Sequence, residues 1–255
     1  GLFILTRSDV RFDKRHMINL FANCKYFPTF DPAKTLYTGR DAITEVLRPT
    51  PVTFFRKPSY YQPDRQKAGH MQYDPSEIAV EIIEGVHKRG VLDKASIGKG
   101  SPGSLHHIIA HEYGTDQAFG RMFDLQQLAN NYIHQKGFTV GIMDMLVDVE
   151  TEKVIQLIES QILKKALLIV DDLNAGKILP PPDKTIEETY EQMILGELKS
   201  LDAFADPIFG WVDFEANGLM QLIMSGSKGS PNHIYHMASA IGQIVINGDR
   251  PKANL

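Results

Sequence analysis

Cysteine is almost absent: Cys24 is the only one in 255 residues. That excludes an internal disulfide and any zinc site built on several thiolates, and makes a reducing compartment the default. Long apolar runs are missing as well. None approaches the roughly 18 to 20 residues that a membrane-spanning helix requires, and the opening GLFILTRSDVRFDKR is too short in its apolar part for a secretory signal. There is no basic excess either. Lys and Arg number 27 against 31 Asp and Glu, for a net charge of −4 and a pI near 6.1, whereas a domain that grips duplex phosphates carries a clear surplus of cations. Any service to nucleic acid must therefore rest on local sites. Repeats, low-complexity tracts and long charge blocks are also lacking. The start on Gly1 rather than methionine leads to the expectation of a piece excised from a longer chain.

What is present is ordinary globular composition, 43% hydrophobic and 23% charged, with length for one large core or two smaller ones. The first half is mixed. Met17, Leu20, Phe21 and Cys24 fall at helical spacing over 13–24, and Thr38 can cap a helix over 39–47 that stops before Pro49. Val80 and Ile82, with turn glycines Gly85 and Gly90, read as strands of a small sheet over 78–92. IGKGSPGS at 97–104 reads as a loop, and FTVGI at 138–142 as a short strand. Helices dominate later: one ends at Gly137, a long amphipathic one carries Ile155, Ile158, Ile162, Ala166, Ile169 and Leu173, and a Thr185/Glu188 capping box opens another. The stripe Ile186, Tyr190, Met193, Leu198 and Leu201 is expected to close on the long helix, making 150–205 a projecting antiparallel hairpin. The expected class is α+β, with the change to helical composition at about 143–150.

The most distinctive stretch is the GSKGS run, Ser225 to Ser230. A lysine between two glycines suits a loop in which backbone and ammonium face an anion together, or else a turn with a solvated lysine. It is not a Walker loop, because Lys228 precedes Gly229 instead of following a glycine four residues on. Lys94, beside a loop holding Lys99, is a second candidate. His107 and His111, with His106 beside them, share a helix face and suit either a metal pair or a packed surface pair; Ile108 stands where the zinc-protease pattern needs glutamate. A free-standing hydrolase using these histidines and a carboxylate on a metal is the rival reading. Asp144 and Asp148 suit either a magnesium site or the start of the long helix. Cys24 reads as a packed thiol, and Phe54, Phe55, Tyr60 and Tyr61 as packing near Arg56 and Lys57.

Five segments in order carry a resemblance: GLFILTRSDVRFDKRHMINL at 1–20, LYTGRDAITEVLRP at 36–49, GVLDKASIGKGSPGSLHHI at 90–108, GFTVGIMD at 137–144, and NGLMQLIMSGSKGSPNHIYHMASAIGQIVINGDRP at 217–251. Together they resemble the largest subunit of multisubunit DNA-directed RNA polymerases, most of all those of large cytoplasmic DNA viruses of the African swine fever virus type. The resemblance implies a mixed pore domain over 1–145, a funnel domain with the hairpin over 146–235, and a segment at 236–255 leading to the bridge helix. It implies that Lys228 and Lys94 meet nucleotide or RNA in the secondary channel, where nucleotides enter and backtracked RNA leaves, and that Gln243 and Arg250 pack at the root of the bridge helix. The partners implied are the other polymerase subunits, DNA template, RNA, nucleoside triphosphates and a transcript-cleavage factor docked at the rim. No membrane contact is implied. Residence in the host cytoplasm or virion follows if the chain is viral, in the nucleus if cellular. The family's aspartate-rich NADFDGD motif does not occur in this chain, so the magnesium belongs to the intact enzyme and no catalytic residue or metal ligand is expected here; the chain alone is expected to be inactive. Departures from the family pattern are Ala95 where a second lysine is common, His233 and His236 after the GSKGS run, and Ile244 in the GQQ position. A module whose hairpin docks a regulatory factor is a further reading.

Overall fold

The computed structural model describes residues 1–57, 79–98, 100–199 and 216–251. Lys99, Tyr60, Tyr61, Leu201 and Trp211 thus lie outside the described residues, as do Ile78 and the hairpin's expected end at 200–205. Contacts divide the chain into two compact units, Gly1–Val140 with Glu215–Gly229, and Gly141–Phe214 with Ser230–Leu255. Helices carry most of the structure and the strands form two small antiparallel sheets, as an α+β class requires.

The first unit opens with α1 (Leu2–Leu5), β1 (Arg11–Asp13) and α2 (Lys14–Leu20). Asp13 caps α2 by accepting from the His16 amide at 2.8 Å. The helix stops short of Cys24, and Asn23 turns the chain with φ +65°. β2 (Leu36–Thr38) pairs with β1 in the register Phe12 opposite Tyr37, and α3 (Gly39–Leu47) follows with a full capping box between Thr38 and Asp41. Gly39 is dictated by packing. A Cβ there would stand 1.7 Å from the Leu5 carbonyl oxygen, so only glycine lets α3 begin against α1. β3 (Phe54–Arg56), β4 (Val80–Ile83) and β5 (Val86–Arg89) form the second sheet, in that order. Phe54 is buried in the core while Phe55, pointing to the other face, is exposed.

α4 (Lys94–Ile97), α5 (Leu105–Tyr113) and α6 (Thr115–Lys136) come next, with Gly114 (φ +89°) breaking α5 from α6 and Gly137 (φ +76°) ending α6. FTVGI is not a strand. It runs irregularly into a 3-10 turn at Ile142–Asp144, because a short apolar run becomes a strand only where a ladder partner is available and none among the described residues pairs with it. Leu5, Met17, Phe21, Ile43, Leu47, Ile82, Leu105 and Leu125 are among the fully buried residues of this unit. One ion pair is buried with them. Asp124 accepts from the Lys25 amide at 2.6 Å and faces Arg121 at 3.5 Å, while Arg121 donates to the Val46 carbonyl at 2.7 Å. The pair thereby fastens α6 to the end of α3 and to the turn after α2.

In the second unit, Asp148 caps α7 (Val149–Asn174) and Thr185 opens α8 (Ile186–Leu198) with its capping box to Glu188. The two helices pair antiparallel: Ala166, Ile169, Ile178 and Ile194 form a small core, flanked by Val170, Leu173, Tyr190 and Leu198, and Lys165 meets Glu197 at 3.5 Å. The face used on α8 is 190, 194 and 198. Ile186 and Met193, expected in the stripe, turn outward at 50% and 42% exposure, since a face advancing four residues per turn leaves 193 to one side and 186 beside the linker.

Two outcomes are expected. Asp124→Ala strands the Arg121 guanidinium and is expected to cost about 3–5 kcal/mol in urea unfolding. His87 is buried with Nδ1 unpartnered among the described residues, and burial, then the Arg40 charge, push its pKa down to about 4. The unfolded imidazole titrates near 6.5, so the folded state binds the proton less readily. Stability is full above about pH 6.5 and falls as pH drops towards 4, by about 3 kcal/mol in total. Urea unfolding between pH 7 and pH 4 is expected to show that fall in the wild type and a reduced one in His87→Gln.

Candidate functional site

Lys94 is placed by a chain of small local bonds. Thr6, fully buried, donates its hydroxyl to the Leu2 carbonyl at 2.8 Å and accepts from the Leu92 amide at 2.9 Å, which ties α1 to the segment leaving β5. Asp93 then caps α4, accepting from the amide and the hydroxyl of Ser96 at 2.9 and 2.7 Å. With that turn fixed, the Lys94 amide donates to the Ser225 carbonyl at 2.9 Å.

Ser225 is the C-cap of α9 (Gly218–Met224), whose own start is capped by Asn217. The GSKGS run is the end of that helix. Gly226 takes φ +69° and donates to the Ile223 carbonyl at 3.0 Å, while Ser227 donates to the Leu222 carbonyl at 3.2 Å, the paired bonds of a Schellman ending. The Lys228 amide reaches the same carbonyl at 3.5 Å, and both serine hydroxyls also donate to it, at 3.0 Å from Ser225 and 3.1 Å from Ser227. This corrects the expectation of a backbone cradle for an anion. Open carbonyls at the helix end claim the amides first, so what the run offers an anion is the exposed Lys228 side chain.

Beneath the bonded pair of loops lies a cavity of about 560 Å³ within the first unit. Lys94, Ser225 and Ser227 line it beside apolar Phe3, Ile97 and Leu125; Lys228 is next in the chain but is not a lining residue. His106 also lines it, with a buried Nδ1 that has no partner among the described residues, and burial holds that imidazole below the usual histidine range. The structure therefore joins Lys94 to the loop of Lys228 through backbone. It also shows His106, which the sequence reading noted only as part of a metal trio.

The metal readings find no support in the donor geometry. His107 Nδ1 accepts from the Gly103 amide at 3.1 Å, Asp148 serves as a helix cap, and Asp144 accepts from the Gly141 amide at 2.9 Å. Among the described residues no three His, Cys, Asp or Glu side chains converge as a metal site. Cys24 is a packed thiol: burial, then the Asp124 charge, push its pKa up to about 11.

Gln243 and Arg250 belong to the second unit, following α10 (Pro231–Ala238). The Gln243 amide donates to the Leu198 carbonyl at 3.3 Å, and Arg250 grips Glu191 through Nε and a terminal nitrogen at 2.7 and 2.8 Å. The guanidinium holds the Glu191 carboxyl below its ordinary range. Glu191 was missed by the sequence reading, where it is one of several acidic residues on α8.

Two family models match. That for RNA polymerase Rpb1, domain 3, covers residues 1–145, and that for RNA polymerase Rpb1, domain 4, covers residues 169–255. Over 98% of its length the chain is 35% identical to the DNA-directed RNA polymerase RPB1 homolog of African swine fever virus, of which it spans 18%. It is 27% identical, again over 98% of its length, to the DNA-directed RNA polymerase III subunit RPC1 of Bos taurus and of Homo sapiens, spanning 19% of each. The chain thus covers about a fifth of the length of these relatives.

Removing the α4 cap tests the loop pairing. Asp93→Ala is expected to destabilise by about 1–2 kcal/mol, and hydrogen exchange should show the Lys94 amide losing protection along with that of Ser96.

Proposed function

Because this chain belongs to the RNA polymerase Rpb1 family, we propose that it forms part of the lining of the secondary channel of a DNA-directed RNA polymerase, with nucleoside triphosphates and the 3′ end of backtracked RNA as its visitors. The observation that carries the reading is the 2.9 Å bond from the Lys94 amide to the Ser225 carbonyl, which sets the two lysine-bearing segments against one cavity. Lys228, like Lys94, is exposed. It works by electrostatics, lowering the cost of bringing a triphosphate close, rather than by exchanging protons.

The chemistry of nucleotidyl transfer would lie elsewhere in the subunit. In the same reading the magnesium ion is held by residues outside this chain, and the chain alone is inactive. Gln243 and Arg250 stand on the segment that leads towards the bridge helix. Other polymerase subunits, the DNA template and the transcript are the partners of the assembled enzyme, with a transcript-cleavage factor at the rim. No described helix is long and apolar enough to cross a membrane. The proposed place of work is the host cytoplasm or virion if the chain is viral, and the nucleus if it is cellular.

In an assembled polymerase, Lys228→Ala is expected to raise KM for nucleoside triphosphates by about tenfold with kcat changed less than about twofold. Lys228→Arg, which keeps the charge, should recover most of the loss. Steady-state and single-turnover addition of one nucleotide give both quantities. An unchanged KM in Lys228→Ala would remove the basis for the channel role of this loop.

A further inference from the structure

The segment after α10 lies along α8 with a definite register. Ile246 and Asp249 exchange two backbone hydrogen bonds, at 2.9 and 3.1 Å, around Asn247 (φ +53°) and Gly248 (φ +100°). Two left-handed central residues, Asn then Gly, make the tightest kind of hairpin turn. On one side of the turn the Gln243 amide meets the Leu198 carbonyl, an acceptor the helix end leaves open. On the other, Arg250 grips Glu191 with both arms of its fork.

The spacing of these attachments is informative. Glu191 and Leu198 are two helical turns apart, about 10 Å at 1.5 Å per residue. Gln243 to Arg250 would span about 23 Å if extended. The Asn-Gly turn takes up the difference, so the segment matches the helix only when folded at that point. Displacement by one residue would carry Arg250 off Glu191.

Stability alone does not explain the fork. Its side chains are 26% and 42% exposed, and pairs so exposed contribute little to folding. The hairpin has its own core in Ala166, Ile169, Ile178 and Ile194. What a bidentate pair at such a place does well is fix direction.

We propose that the Arg250–Glu191 fork is a positioning latch, which holds residues 242–251 in register on α8 so that the hairpin sets the direction in which the polypeptide leaves Pro251. This rests on the reading above, in which that polypeptide leads to the bridge helix. Glu191 is then a positioning residue for nucleotide addition although it touches no substrate. A load on the hairpin reaches the reaction centre through this contact.

The test uses the assembled polymerase carrying Glu191→Gln, Arg250→Gln, or the exchanged pair Glu191→Arg with Arg250→Glu. Each single variant is expected to speed hydrogen exchange in the 243–249 peptide by about tenfold while the 160–175 peptide of α7 stays unchanged. Each should slow maximal single-nucleotide addition by about fivefold with KM within about twofold. The exchanged pair should return both readings to within about twofold of wild type. Unchanged exchange in the single variants overturns the latch, and so does faster exchange that also spreads to α7 or does not recover in the exchanged pair. Recovery of exchange with no change of addition rate at any stage overturns the positioning role. The result for Lys228→Ala is separate, since its KM can stay unmoved, defeating the channel reading, while the latch readings hold.

Discussion

The hydrogen bond from the Lys94 amide to the Ser225 carbonyl is the constraint on which the candidate site depends. Each end of it is prepared independently. On one side Thr6 and Asp93 fix the approach to α4, and on the other a Schellman ending fixes Ser225 and Ser227. A single backbone bond is worth only about 1 kcal/mol net. Here both partners are already ordered, so it has little conformational entropy to overcome and can select one geometry. The cavity beneath is the space left between elements whose separation that bond sets.

Much of the fold was legible because its signals are local. Thr38 with Asp41, and Thr185 with Glu188, announce helix starts through side chains three residues apart, and Gly137 ends α6 where only a residue tolerant of positive φ fits easily. The α8 stripe was legible in period but not in phase. Tyr190 and Leu198 face α7 while Met193 falls to one side, and phase depends on how the partner helix approaches. FTVGI failed as a strand for a related reason, since alternation in sequence does not supply a neighbouring edge.

For the candidate site, sequence names residues but not their bonding. Lys94 and Lys228 were singled out by neighbouring glycines, serines and family resemblance, yet the amides of the GSKGS run could serve either an anion or the carbonyls of α9. Competition of that kind is settled by helix geometry rather than residue type. Glu191 and Asp124 show the other limit. An acidic residue among acidic residues carries no mark of the arginine it will meet; the Arg121–Asp124 pair at least has helical spacing, while Arg250 comes from a separate segment.

The order of the units along the chain has its own consequence. The first unit is left after Val140 and rejoined by α9, so the whole hairpin lies inside a loop that the first unit must close. The entropy of closing a flexible loop grows only with the logarithm of its length, and doubling the enclosed chain adds only about 0.6 kcal/mol. Relatives can therefore lengthen, shorten or decorate the hairpin at little thermodynamic cost to the unit that carries Lys94 and Lys228.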